Sequence, residues 1–186
     1  MKLDKMFEGL KRIANGDYVL EGDLICEDSI EVDLDDRLVV RGKVESKKSI
    51  IVRCGINAGL GINAGEGINA GCGINAGLGI NAGEGINAGW GINAGEGINA
   101  GWGIKAKTFI DCGKRIFAGV SVWNTSEDCE KTIECAELKN GEVAFGDLVI
   151  TKEPESEPEM VMTISEIEAK LGIKNLRIKS ENEADE

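Results

Sequence analysis

The chain has 186 residues, a formal net charge of −12 and no histidine. An acidic surface repels nucleic-acid phosphate, so direct DNA or RNA binding is not expected. A chain without histidine cannot build Ser-His or Cys-His nucleophile pairs, nor histidine-ligated metal sites.

In chain order, residues 1–16 read as an N-terminal capping helix. Leu3, Met6, Phe7, Leu10 and Ile13 recur at helical spacing, and Asn15-Gly16 supplies the stop. Such a cap would cover the sticky strand edge at the end of a coil stack.

Residues 17–122 read as a β-solenoid. From Gly55 to Ile104 the chain repeats Gly-Ile-Asn-Ala-Gly-x, with Leu60, Glu66, Cys72, Leu78, Glu84, Trp90, Glu96 and Trp102 in the variable place. An even period keeps each Ile on one face of an extended chain, whereas a helix of 3.6 residues per turn would spread them around its axis. A fixed period of this kind predicts a repeat architecture. Stepping by six from the repeat meets Ile50, Val44, Leu38, Val32, Cys26 and Leu20 on one side, and Ile110, Ile116 and Val122 on the other. The variable column favours 18-residue coils, which set Leu60 under Leu78, Glu66 under Glu84 and Cys54 under Cys72. The expected fold is all-β: a parallel β-solenoid (β-helix) of about six coils, roughly 29 Å long at a strand spacing of about 4.8 Å. The glycines are expected at corners with φ > 0, and the asparagines in stacked ladders.

Residues 123–150 read as a C-terminal β-hairpin cap, with strands at 132–138 and 142–150 around Asn140-Gly141. Residues 151–160, with Pro154 and Pro158 among glutamates, read as an acidic linker. Residues 161–186 read as a small helix–strand tail that opens on the capping box Thr163-x-x-Glu166. This tail is either a tethered docking module or a fold-back onto the solenoid.

The chemistry is informative by subtraction. No P-loop or dinucleotide-binding glycine motif is present, and Cys112, Cys129 and Cys135 lack C-x-x-C spacing. No catalytic residue, cofactor site or metal site is expected. No membrane span or secretory signal is visible, and the six cysteines then point to free thiols in a reducing, cytoplasmic setting. Cys54 and Cys72 would lie within disulfide range if stacked. Trp90 and Trp102 occupy the variable column, where Glu66, Glu84 and Glu96 imply solvent access. Exposed tryptophan is a common anchor of protein interfaces; the other reading is that the pair covers the solenoid's flank. These five residues are the candidate partner-binding set. The asparagine ladders raise a flat ice- or carbohydrate-binding face, ranked last because the repeats carry no threonine rows.

Three resemblances bear on function. The hexad resembles hexapeptide-repeat proteins, best known for acyltransferases on left-handed β-helices; those use a histidine base that this chain lacks. Val39-Val-Arg-Gly-Lys-Val-Glu-Ser-Lys-Lys-Ser-Ile-Ile-Val52 resembles coils of bactofilins, polymer-forming proteins of bacterial cytoskeletons. The repeat array followed by Arg115-Ile-Phe-Ala-Gly-Val120 looks closer to Gly-Ile-x-Ala-Gly repeat proteins of Gram-positive bacteria and their phages, as does the segment Met162–Gly172. That resemblance carries no established activity but implies a mobile-element setting, where small acidic proteins often inhibit host defence. The expected function is therefore a non-enzymatic protein-binding solenoid, a phage-type inhibitor of a basic, nucleic-acid-targeting host protein. The alternative is a bactofilin-like structural polymer. Side-by-side pairing as a homodimer is left open.

Overall fold

The computed structural model describes residues 1–120 and 131–151, which belong to the first of two units, Met1–Lys152 and Glu153–Glu186. The described part is all-β and winds through about seven turns of a parallel β-solenoid, with no helix. The expected linker and helix–strand tail, and the ladder position Val122, lie outside the described residues.

Strands β1 (Lys2–Leu3) and β2 (Leu10–Arg12) precede the first turn. Five turns of three short strands follow. They are β3 (Tyr18–Leu20), β4 (Leu24–Cys26) and β5 (Ile30–Val32); β6 (Leu38–Val40), β7 (Val44–Ser46) and β8 (Ile50–Val52); β9 (Ile56–Ala58), β10 (Ile62–Ala64) and β11 (Ile68–Ala70); β12 (Ile74–Ala76), β13 (Ile80–Ala82) and β14 (Ile86–Ala88); and β15 (Ile92–Ala94), β16 (Ile98–Ala100) and β17 (Ile104–Ala106). The sixth turn is β18 (Phe109–Ala118) and β19 (Thr132–Cys135), and the seventh is β20 (Glu137–Phe145) and β21 (Asp147–Ile150).

The first face stacks β1, β5, β8, β11, β14, β17, β19 and β21. The second face carries β3, β6, β9, β12 and β15, and the third carries β4, β7, β10, β13 and β16. The long strand β18 joins these two faces into one sheet, because Ile110–Cys112 pair with β15 and Ile116–Ala118 pair with β16. In each repeat strand Ile and Ala point inward and are buried, while the central Asn points out. The period of two in the strand and six in the chain thus places one apolar ladder per face in the core.

Within the repeats each turn is 18 residues, as expected. The asparagines hydrogen-bond up the stack on two faces: Asn81 Nδ2 donates to Asn63 Oδ1 at 2.9 Å, Asn99 to Asn81 at 2.8 Å, and Asn87 to Asn69 at 3.2 Å.

Four expectations are corrected. First, residues 1–16 form strands, not a capping helix. An isolated helix this short is marginal in water, and the main chain finds better partners on the sheet edge. Glu31 N–H donates to the Met1 carbonyl and Asp33 N–H to the Leu3 carbonyl, each at 2.9 Å. Leu3 enters the core and Phe7 and Leu10 pack against it, but Met6 is 89% exposed. β2 then pairs antiparallel with β3, so it still covers one edge of the stack.

Second, there are about seven turns rather than six, because the hairpin expected over 123–150 is not an antiparallel cap. β19 and β20 pair in parallel with β17 and β18, and β21 in parallel with β19. Gly141 does take a positive φ of 109°, but as a bend within β20 that carries the chain from the second face to the third.

Third, the ladder before residue 38 is shifted. The first turn is 20 residues long, so Ile50 stands over Ile30, Val44 over Leu24 and Leu38 over Tyr18. Val32, Cys26 and Leu20 belong to the column that holds Ala in the repeats. The extra length is the loop Asp33-Leu34-Asp35-Asp36, whose Leu34 is fully buried.

Fourth, the repeat glycines do not have positive φ; among the described residues those that do are Gly9, Gly16, Gly22, Gly119, Gly141 and Gly146. A Cβ at Gly77, Gly83, Gly89 or Gly95 would stand under 3.0 Å from the carbonyl oxygen of the glycine one turn before it. Close stacking of bare corners, not left-handed backbone, is why those positions are glycine.

The loop at residues 33–36 clasps the N-terminal strands. Lys5 Nζ lies 2.7 Å from Asp35, Lys2 Nζ 3.6 Å from Asp33, and Arg12 3.2 Å from Asp36. The Tyr18 hydroxyl donates to Asp35 at 2.7 Å, and Arg37 pairs with Asp17 at 2.7 Å. The Lys5 ammonium, then the Tyr18 hydroxyl, hold the Asp35 carboxyl well below the usual carboxylate range; Arg37 does the same for Asp17. A folded-state value below the unfolded value of about 3.9 gives stability that is present above it and is lost as pH falls through the folded value. Acidification below about pH 4 is therefore expected to loosen the segment held by Asp35 through Lys5 before the repeats. Two-dimensional NMR of backbone amides checks this: the Lys5 and Tyr18 signals should shift or broaden first, with those of Ile74–Ala76 unchanged.

Candidate functional site

The variable residues form three corner columns, each held by the backbone of successive turns. Between the first and second faces stand Cys54, Cys72, Trp90 and Thr108, whose N–H groups donate down the column at 2.9, 3.2 and 3.3 Å. Between the second and third faces stand Leu60, Leu78, Glu96 and Lys114. Between the third and first faces stand Lys48, Glu66, Glu84 and Trp102, linked by N–H donation at 3.3 Å at each step. The five candidate residues thus split over three corners. Glu66, Glu84 and Trp102 come together, while Trp90 and Glu96 stand apart from them and from each other.

Glu96 is neutralised by Lys114, whose Nζ lies 3.0 Å away in its own column. Trp90 is 66% exposed and sits over a groove lined by Cys54, Cys72 and Phe109. The acidic end of that groove is also neutralised, because Asp17, Asp35 and Asp36 are the carboxylates clasped by Arg37, Lys5 and Arg12. Phe109 lies against Gly91, where a Cβ would collide with its ring, and takes Lys139 Nζ over its own centre at 3.7 Å.

The Trp102 corner is different. The Ser49 hydroxyl donates to Glu66 Oε2 at 2.8 Å. Glu84, one turn further on and about 5 Å from Glu66 by the strand spacing, makes no ion pair among the described residues, although Lys105, paired with Glu134, lines the same hollow. Trp102 stacks above it and is 38% exposed. Beside them the first face forms a hollow lined by Asn69, Asn87, Lys105 and Glu134. Lys105 Nζ reaches Glu134 Oε2 at 2.9 Å within this lining. The corner therefore offers two carboxylates in successive places of one column, Glu84 without an ion pair among the described residues, and the Trp102 indole in the next place. That set suits an arginine or lysine from another molecule, held by charge-assisted hydrogen bonds and a cation–π contact.

Sequence reasoning found the three corner residues but missed Lys105 and Glu134. Glu134 stacks on Lys105 after 29 residues rather than the 18 of a repeat turn, so no repeat period points to it. Cys54 and Cys72 occupy one column as expected, and both are free thiols. No protein-family profile, no curated protein and no solved structure matches the chain.

Proposed function

We propose that this β-solenoid is a non-enzymatic protein-binding module whose contact surface is the corner of Glu66, Glu84 and Trp102 with the hollow beside it. The observation that carries the reading is their shared column: a carboxylate without an ion pair among the described residues, followed one turn on by an exposed tryptophan. The partner is a protein with a basic surface that inserts arginine or lysine there. The net charge of −12 speeds encounter with such a partner and disfavours bare nucleic acid. The Gly-Ile-x-Ala-Gly resemblance points to a nucleic-acid-binding host-defence protein as that partner, with the module as its phage-type inhibitor.

Immobilised full-length protein and its variants, compared for capture from an extract of a Gram-positive host, test the reading. Trp102→Ala and Glu84→Gln are each expected to weaken capture of the same basic protein about tenfold or more, since truncating an interface anchor costs about 2 kcal/mol. Trp90→Ala should leave capture unchanged. Equal capture by wild type, Trp102→Ala and Glu84→Gln would remove the corner as the binding site.

A structural polymer is the second reading. It draws support from the last described turn, where Phe145, Leu148 and Ile150 are exposed and no further described strand pairs with β20 or β21. The antiparallel β2, which covers the β3 edge at the other end, opposes end-to-end growth.

A further inference from the structure

We propose that Cys54 and Cys72 are a redox-active pair that closes into a disulfide across two successive turns, beneath Trp90. The Cys72 N–H donates to the Cys54 carbonyl at 2.9 Å, so the two residues leave the same corner in register. Residues so stacked are about 4.8 Å apart along the prism, inside the range of about 4.4–6.8 Å between Cα atoms that disulfides span. Closure then needs no change in the fold.

Accessibility and stacking together separate this pair from the other described thiols. Cys54 and Cys72 are both partly exposed and line one groove. Cys112 and Cys135 are fully buried, and Cys26 is stacked against Ser46 rather than against another thiol. The Cys54 thiol now donates to the Asp35 carbonyl at 3.3 Å, a weak bond that closure gives up. The inference is independent of which corner binds a partner, because the pair lies on the Trp90 column.

The oxidant is a small disulfide such as glutathione disulfide. One cysteine thiolate attacks a sulfur of the oxidant, forming a protein–glutathione mixed disulfide and releasing one glutathione. The second cysteine thiolate then displaces the other glutathione and forms the Cys54–Cys72 bond. Two protein thiols and one disulfide become one protein disulfide and two glutathione thiols; two electrons pass from the pair to the oxidant, and the two protons leave the protein thiols. Burial, reinforced by the neighbouring Cys72, pushes the Cys54 thiol up, so closure speeds up as pH rises on the alkaline side of neutrality.

The sequence makes the test clean. No Lys or Arg lies between Arg53 and Lys105, so trypsin releases Cys54–Lys105 as one peptide holding Cys54, Cys72 and no other cysteine. Full-length protein is equilibrated in glutathione buffers of increasing oxidised fraction, alkylated, digested and weighed. The expected result is conversion of this peptide from doubly alkylated to unalkylated and lighter by two hydrogen atoms. Trp90 emission should fall in parallel in the intact protein, and Trp90→Phe should abolish that part of the change. Cys54→Ser should trap Cys72 as a glutathione adduct. A peptide that stays doubly alkylated, takes up two glutathiones, or is joined to another cysteine would overturn the proposal.

Discussion

Gly83→Ala is expected to cost about 3 kcal/mol or more, whereas Gly79→Ala should stay within about 1 kcal/mol of the wild type. Both are glycines of the same hexad, in its first and fifth places. A Cβ on Gly83 would lie under 3.0 Å from the Gly65 carbonyl oxygen of the preceding turn. That oxygen is backbone, held in the stack, and cannot swing aside as a flexible side chain could. A Cβ on Gly79 would lie 3.2 Å from the Gly97 carbonyl oxygen of the following turn, close enough to need a shift of only tenths of an ångström. The small strain at Gly79 is offset by the reduced freedom of the unfolded chain, since alanine has fewer unfolded conformations to lose. For a chain of this size the Gly83 variant should melt about 6–12 °C lower. Thermal unfolding followed by circular dichroism checks both. Equal melting temperatures would show that the corners are not closely stacked.

Ile80→Ala should be the most damaging of the simple truncations, at about 2–5 kcal/mol. Ile80 is fully buried, with Ile62 below and Ile98 above in the third-face ladder. Removing it opens a void between two rungs that are pinned by strand pairing and cannot collapse inward. Ile51 is the matched control. It is also an isoleucine in a three-residue strand, but it is the outward residue of β8 and is 46% exposed. Ile51→Ala should change stability by less than about 1 kcal/mol. Urea titrations of the two variants measure the difference directly; comparable losses would place the ladder on the wrong side of the strands.

The middle of this molecule was legible because its hexad is redundant: any one repeat predicts its neighbours, and Ile62, Ile80 and Ile98 meet in register as the spacing requires. The first turn was misread for a physical reason. Stepping back by six from Ile50 lands on Val32, Cys26 and Leu20, which are apolar because they fill the second inward position of each strand. A slip of two residues along a strand therefore exchanges one inward column for another and leaves the apolar pattern intact. Only the loop at Asp33–Asp36 marks it. Asn140-Gly141 misled differently. The local preference for a positive-φ bend was read correctly, but pairing with β18 overrode the hairpin that such a bend would close. At the candidate site, Glu66, Glu84 and Trp102 follow from an 18-residue turn, whereas Glu134 arrives by chain that carries no period. Trp90 and Glu96 carried the same signal as Trp102 and Glu84 in sequence; only the counter-charges around each corner separate them.

Light scattering on the full-length protein, coupled to size-exclusion chromatography over a wide range of loading concentrations, tests the central claim most directly. That claim is that the solenoid is a discrete module that presents one corner to a partner. It predicts a single species whose mass is constant with concentration. A mass that climbs with concentration into a broad distribution would contradict it and would favour the structural polymer instead.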